Sequence, residues 1–156
     1  MEEMKTIYQV EGKLCKDFIG QISYTVCLDQ TYEELDIEFS FEPQHFRPED
    51  VTPELKQQLL EYCQKEYGME AGTPEEWEDA VYHGMKTEIH TMATLNDTFI
   101  GNIHRQLTTR HMHFTATEAT EGCIPQPTIL GVLKVTILVF SVLLDNTNYQ
   151  LTVRAR

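Results

Sequence analysis

His111 and His113 are the side chains of this chain best spaced for chemistry. On a strand, residues two apart share a face, so both imidazoles would project together, as a two-histidine zinc or iron site requires. Such a site takes about three or four ligands. His104 is near in sequence and Glu118 and Glu121 follow, but no spacing specifies a third ligand. The spacing therefore predicts neither a metal site nor a cofactor. His104, Arg105, Arg110, His111 and His113 together form the one locally basic cluster of an acidic chain. They are the candidate residues for an anionic small-molecule ligand, since arginines recognise phosphate and carboxylate groups. The favoured role is plainer: these cations compensate acidic helices packed against them, as scattered surface ion pairs commonly do.

Other chemistry is poorly represented. Asp79 and His83 stand four apart, and His90 follows seven residues later. One helical face would carry all three, but without HExxH the expected reading is a solvated polar face opposite Trp77. There is no GxSxG elbow, and Gly12, Gly20, Gly101, Gly122 and Gly131 are too isolated for a phosphate-binding loop. Cys15, Cys27, Cys63 and Cys123 stand far apart, as free thiols of a cytoplasmic chain would. The acidic start, Met1-Glu2-Glu3-Met4-Lys5, is followed by no apolar stretch of the kind that opens a secretory signal.

The elements that must position these residues follow from length, charge and periodicity. A chain of 156 residues is expected to be a single domain able to bury a core of its own. The formal charge is −13, and it is uneven: residues 1–41 carry −6, residues 42–96 carry −8 and residues 97–156 carry +1. Such a surface repels nucleic acid and anionic membranes. Thr128 to Leu144 is nearly apolar, but Lys134 interrupts it and Val, Ile and Thr dominate, which favours a strand over a membrane span.

Period-two alternation marks three strands before residue 42. Met4, Tyr8, Val10 and Leu14 oppose Lys5, Gln9, Glu11 and Lys13; Ile22, Tyr24, Val26 and Leu28 follow; then Leu35, Ile37, Phe39 and Phe41 oppose Asp36, Glu38 and Ser40. Thr52-Pro53 and Thr73-Pro74 are helix starts. The first helix is predicted from Pro53 to Tyr67, burying Leu55, Leu59, Tyr62 and Cys63, with Gly68 ending it. The second is predicted from Pro74, burying Trp77, Val81, Met85, Ile89 and Met92. Asn96-Asp97-Thr98 reads as a break before a third helical piece at 98–108, although a strand also fits Phe99, Ile103 and Leu107. Strands return at Met112 and Phe114, along Leu133 to Leu143, and from Tyr149 to Ala155.

The expected fold is α+β: an antiparallel sheet of about six strands, in the order βββ–αα(α)–βββ, packed against two or three helices. Along the long strand a second face turns apolar at Leu138, Phe140, Val142 and Leu144, so something must cover both faces. A second copy of the chain is one cover, and the first helix or the 42–52 loop is the other. The functional expectation is a small acidic cytoplasmic protein without catalysis, an interaction or structural protein acting as a homo-oligomer. The alternative is a small-molecule binding protein or enzyme with the His/Arg cluster lining a pocket between sheet and helices.

Overall fold

Alternating apolar and polar residues build nearly all of the molecule. The computed structural model describes residues 3–67, 74–104 and 107–156. Among them run eight strands: β1 (Lys5–Leu14), β2 (Gly20–Tyr32), β3 (Leu35–Glu42), β4 (Glu88–Leu95), β5 (Thr98–Ile103), β6 (Thr109–Phe114), β7 (Ile129–Ser141) and β8 (Thr147–Ala155). They form two four-stranded antiparallel sheets, ordered β1-β8-β3-β6 and β2-β7-β4-β5. Only the β4–β5 hairpin joins neighbours within a sheet; every other connection changes sheet. That is the strand order of a jelly-roll sandwich.

The core lies between the sheets. Leu35, Ile37, Phe39 and Phe41 of β3 and Leu151 and Val153 of β8 meet Leu133, Val135, Ile137 and Val139 of β7 and Ile89, Ala93 and Leu95 of β4. Each fully buried side chain of this size contributes about 1.5–3 kcal/mol of transfer free energy. Among the described residues, Tyr24 with Tyr149 and Arg110 provide polar links between the sheets within this apolar layer. The Tyr24 hydroxyl of β2 meets the Tyr149 hydroxyl of β8 at 2.5 Å. Burial, with that hydrogen bond, raises the Tyr24 pKa well above the ordinary phenol value. The second link is Arg110, described with the site below.

The α+β expectation of one six-stranded sheet backed by helices is corrected by this architecture. Two sheets cover each other, and helix is confined to the β3–β4 connection: α1 (Pro53–Tyr67) and α2 (Pro74–Asp79), the latter running on into a π turn at Ala80–Gly84. Thr52 caps α1 as its sequence suggests, accepting from the Leu55 amide at 3.2 Å. Leu59 and Cys63 are buried on α1, whereas Tyr62 is exposed. The end of α1 at Gly68 and the Thr73 cap lie outside the described residues. The second helix stops far short of its expected length. The π turn closes when the Met85 amide bonds the Ala80 carbonyl, and from Glu88 the chain is strand, with Ile89 inward and Met92 outward.

Of the third helical piece expected at 98–108, Thr98–Ile103 is strand β5, and residues 105 and 106 lie outside the described residues. Asn96 and Asp97 both have positive φ, 51° and 65°, which makes the two-residue turn whose twist suits a hairpin. Asn96 also clips the hairpin to β7: its side-chain amide donates to the Leu130 carbonyl, and its oxygen accepts from the Val132 amide, both at 2.8 Å. Gly131 sits where this side chain passes, with φ +109°, and any Cβ there would collide with it. Apolar residues at Phe99 and Ile103 satisfy either period, so the turn and the β7 partner decide between them.

The helices pack at one end of the sandwich rather than on a sheet face. Phe46, Leu59, Trp77 and Val81 form a separate small cluster there, joined by Leu143 and Leu144. Consequently the second apolar face of the long strand ends sooner than expected. β7 stops at Ser141, Val142 turns into the main core, and Leu144 is covered by the helical cluster. Leu138 and Phe140 alone of that set stay on the outer face. No described helix is long and apolar enough to cross a membrane.

Gly12 of β1 is opposite Tyr149, and a Cβ there would overlap the Tyr149 ring. Gly12→Ala should therefore push Tyr149 away from Tyr24 and lower stability by about 1–3 kcal/mol, seen as a reduced urea midpoint. A midpoint equal to wild type would show that the ring is free to move.

Candidate functional site

The densest group of ionisable side chains lies on the outer face of the β1-β8-β3-β6 sheet. β3 turns Asp36 and Glu38 outward because Leu35, Ile37 and Phe39 turn in, and Glu34 precedes them on the same side. The register then sets Asp36 opposite His113 and Glu38 opposite His111 on β6, with Asp36 opposite Arg154 on β8. His111 Nδ1 lies 3.0 Å from Asp36 and its Nε2 3.2 Å from Glu38. His113 Nε2 lies 2.9 Å from Glu34 and its Nδ1 3.6 Å from Asp36. From the other side Arg154 approaches Asp36 at 3.8 Å and Glu38 at 3.6 Å, and Arg156 pairs with Glu34. A row of three carboxylates is thus flanked by two imidazoles and two guanidiniums. Asp36, at its centre, is only 8% exposed.

This arrangement limits the chemistry. A histidine oriented by a carboxylate is half of a general-base device, but the base needs its second nitrogen free for the substrate proton. Here the second nitrogen of each ring faces another carboxylate. Metal binding would have to break the same contacts against two neighbouring guanidiniums, and no group of three His, Cys, Asp or Glu among the described residues is arranged to hold an ion. The face acts as an electrostatic clamp across three strands.

The structure separates the basic cluster that the sequence groups. His111 and His113 share the outer face. Arg110, between them and the loop, points the opposite way because strand side chains alternate. It is buried among backbone carbonyls, donating to Ile89 at 2.5 Å, Ile103 at 3.4 Å and Leu107 at 2.7 Å. It also lies over the rings of Phe39 and Phe41, at 5.8 Å and 5.7 Å. Burial lowers its pKa to about 10, so it stays charged at neutral pH. Arg110 thus bridges β6 of one sheet to β4 and β5 of the other. His104 belongs to the rim of the second sheet, its ring 5.8 Å from His90. Arg105 lies outside the described residues. His90 is on β4, not on a helix with Asp79 and His83, so that trio is not one face either.

Glu34, Asp36 and Glu38, with Arg154 and Arg156, are absent from the sequence-predicted set. Their signal was present: the carboxylates occupy the polar phase of a strongly alternating strand, and the arginines the polar phase of the last one. What was missing was the pairing of β3 with both β6 and β8.

The second outer face, on β2-β7-β4-β5, is of a different kind. Phe140 stands 49% exposed with the His90 ring 4.5 Å away, and Leu138 lies beside it. Beyond Thr136 and Lys134, Val132, Leu130 and Phe99 are exposed as well. Fold and faces together define a jelly-roll β-sandwich in which the strongest ionisable cluster is committed to holding strands together. The chain belongs to a family of unknown function, DUF6669, which matches residues 1–156. No curated protein and no solved structure is similar enough to count as a match.

Asp36→Ala leaves two imidazoles and Arg154 without their shared acceptor, and should cost about 1–3 kcal/mol of unfolding free energy. Glu49→Ala, which removes an ion pair whose partners are 68% and 59% exposed, should stay within about 0.5 kcal/mol of wild type. Equal midpoints for the two variants in chemical denaturation would refute the clamp.

Proposed function

We propose that the protein is a non-catalytic interaction module of the cytoplasm that acts as a homo-oligomer, in its simplest form a homodimer joined through the outer face of the β2-β7-β4-β5 sheet. An asymmetry between the two outer faces carries this reading. Among the described residues, Phe99, Leu130, Val132 and Phe140 are the large apolar side chains exposed on strands, and all four belong to this sheet. Lys134, Glu88 and Asp29 are the charged groups at outward positions of its strands, although the chain as a whole carries −13. Depletion of charge around aromatic and aliphatic groups is the composition of an interface core. A second copy supplies the same surface under two-fold symmetry, so one patch serves as both halves of the contact.

Supporting the non-catalytic part is the saturation of His111 and His113 by carboxylates. The four thiols are unpaired, as expected of a reducing compartment. The interface differs from the set read along the strand: Leu138 and Phe140 remain, Met92, Val132 and Phe99 join, and Val142 and Leu144 serve the interior.

Phe140→Lys places a charge in the middle of the joined faces and should weaken association by about 3 kcal/mol or more. Because Phe140 is half exposed in the single chain, the variant should keep the wild-type circular dichroism spectrum while sedimenting as a monomer. Wild-type protein that sediments as a monomer at high micromolar concentration, or a variant that stays oligomeric, sinks the proposal.

A further inference from the structure

The clamp occupies only half of the outer face of the β1-β8-β3-β6 sheet. The other half, toward the β3 end at Glu42, is a groove of 760 Å³. Across it the register lines up Glu11, Gln150, Ser40 and Thr109 in one row, and Lys13, Asn148 and Glu42 in the next. All point outward for the same reason as Asp36 and Glu38: they hold the polar phase of their strands. Yet their condition is opposite. In the clamp every carboxylate and imidazole meets a partner. In the groove no hydrogen bond or close ion pair joins the side chains of these two rows to other described residues, although Glu42 at the end of the second row feels the charge of the nearby Arg47 guanidinium. One sheet face therefore carries a saturated polar half and an unsaturated one, side by side.

We infer that this groove binds a neutral saccharide chain. Hydroxyls, two primary amides, two carboxylates and one ammonium offer donors and acceptors in about equal supply, with sites a strand spacing of roughly 4.8 Å apart. Sugar hydroxyls are each donor and acceptor, and a carboxylate accepts from two adjacent ones. An anionic ligand is disfavoured, since Glu11 and Glu42 outnumber Lys13 in a chain of −13. An extended peptide adds to a strand edge through its backbone, whereas this groove crosses the flat of four strands whose backbones are already paired. An apolar ligand would leave the whole lining unsatisfied. The volume falls within the roughly 300–1,000 Å³ common for ligand sites.

No aromatic face is presented to the ligand, because Phe41 and Tyr149 beneath the groove are turned into the core. Each site should therefore be weak, with Kd of about 1 mM. The site stands independently of the proposed oligomer, but the two combine. Copies joined through their β2-β7-β4-β5 faces present their grooves outward, and linked weak sites gain avidity of about 10²–10⁴ on a repeating chain.

The test is amide chemical-shift mapping of the isotope-labelled full chain, titrated to about 10 mM with cellohexaose, maltohexaose, xylohexaose and chitohexaose in turn. The expected result is saturable shifts at Gly12, Ser40, Thr109 and Asn148 with at least one of them. Asn148→Ala combined with Gln150→Ala, both at the surface, should weaken that binding about tenfold or more while leaving the remaining spectrum in place. Phe140→Lys should bind like wild type at each site, so loss of the oligomer and loss of the groove are read separately. Three results overturn the inference: no shift with any of the four sugars, shifts confined to the face around Phe140, or the same groove amides responding to inorganic phosphate or to a hexa-alanine peptide instead.

Discussion

Every feature of this molecule depends on the phase of side-chain alternation in β3 and its two neighbours. Strand side chains have a period of two, so a slip of one residue in β3 would drive Asp36 and Glu38 into the core and push Ile37 and Phe39 into water. Stranding two carboxylates in an apolar interior is far more costly than any contact the slip could gain. With the phase set, three consequences follow at once. Phe39 and Phe41 form the inner layer under Arg110, the carboxylates form the clamp, and Ser40 and Glu42 form the floor of the groove.

The uneven charge of the chain acquires a structural meaning in that clamp. The strongly acidic first segment and the slightly basic last one are far apart in sequence but adjacent in the sheet, because β8 and β6 flank β3 on both sides. The basic residues do compensate acids, yet those acids are on a strand; α1 and α2 lie at the end of the sandwich with their negative charges in water. Arg110 is the exception. It meets carbonyl oxygens rather than carboxylates, and so binds the two sheets without adding a buried ion pair.

The two outer faces divide the surface by chemistry. One is polar throughout, half of it locked in ion pairs and half open as a groove. The other alternates small polar residues with exposed aliphatic and aromatic ones and carries little charge. A sandwich of this design presents different surfaces in opposite directions, so that association through one face leaves the other accessible. The helical insertion packs beyond the end of β7, and Leu55 of α1 shares a hollow with Glu42 and Asn148 at the margin of the polar face. It closes the end of the barrel-like core and buries the apolar residues that run on past β7.

Much of this was legible in the chain itself. Alternation in 8–14, 20–28, 35–42 and 149–155 determined those strands and named their inner and outer residues, because burial on one face imposes its period directly on the sequence; at the start of β1 a bulge between Thr6 and Tyr8 shifts the phase and sets Lys5 opposite the buried Ala155. Thr52-Pro53 determined where α1 begins, because the orphan amides of a first turn need an oxygen wherever the helix lies. Residues 85–107 were different: Met85, Ile89 and Met92, then Phe99 and Ile103, satisfy both helical and strand periods, and the choice fell to Asn96 and Asp97 in a hairpin turn and to pairing with β7, more than thirty residues away. Pairing also decided the site. His111 and His113 could be placed on one face from their spacing, but which carboxylates they meet, and that Arg110 turns inward away from them, depends on strands brought together only in the folded sandwich. A single strand's sequence records which way its side chains point; what they point at is a property of its neighbours.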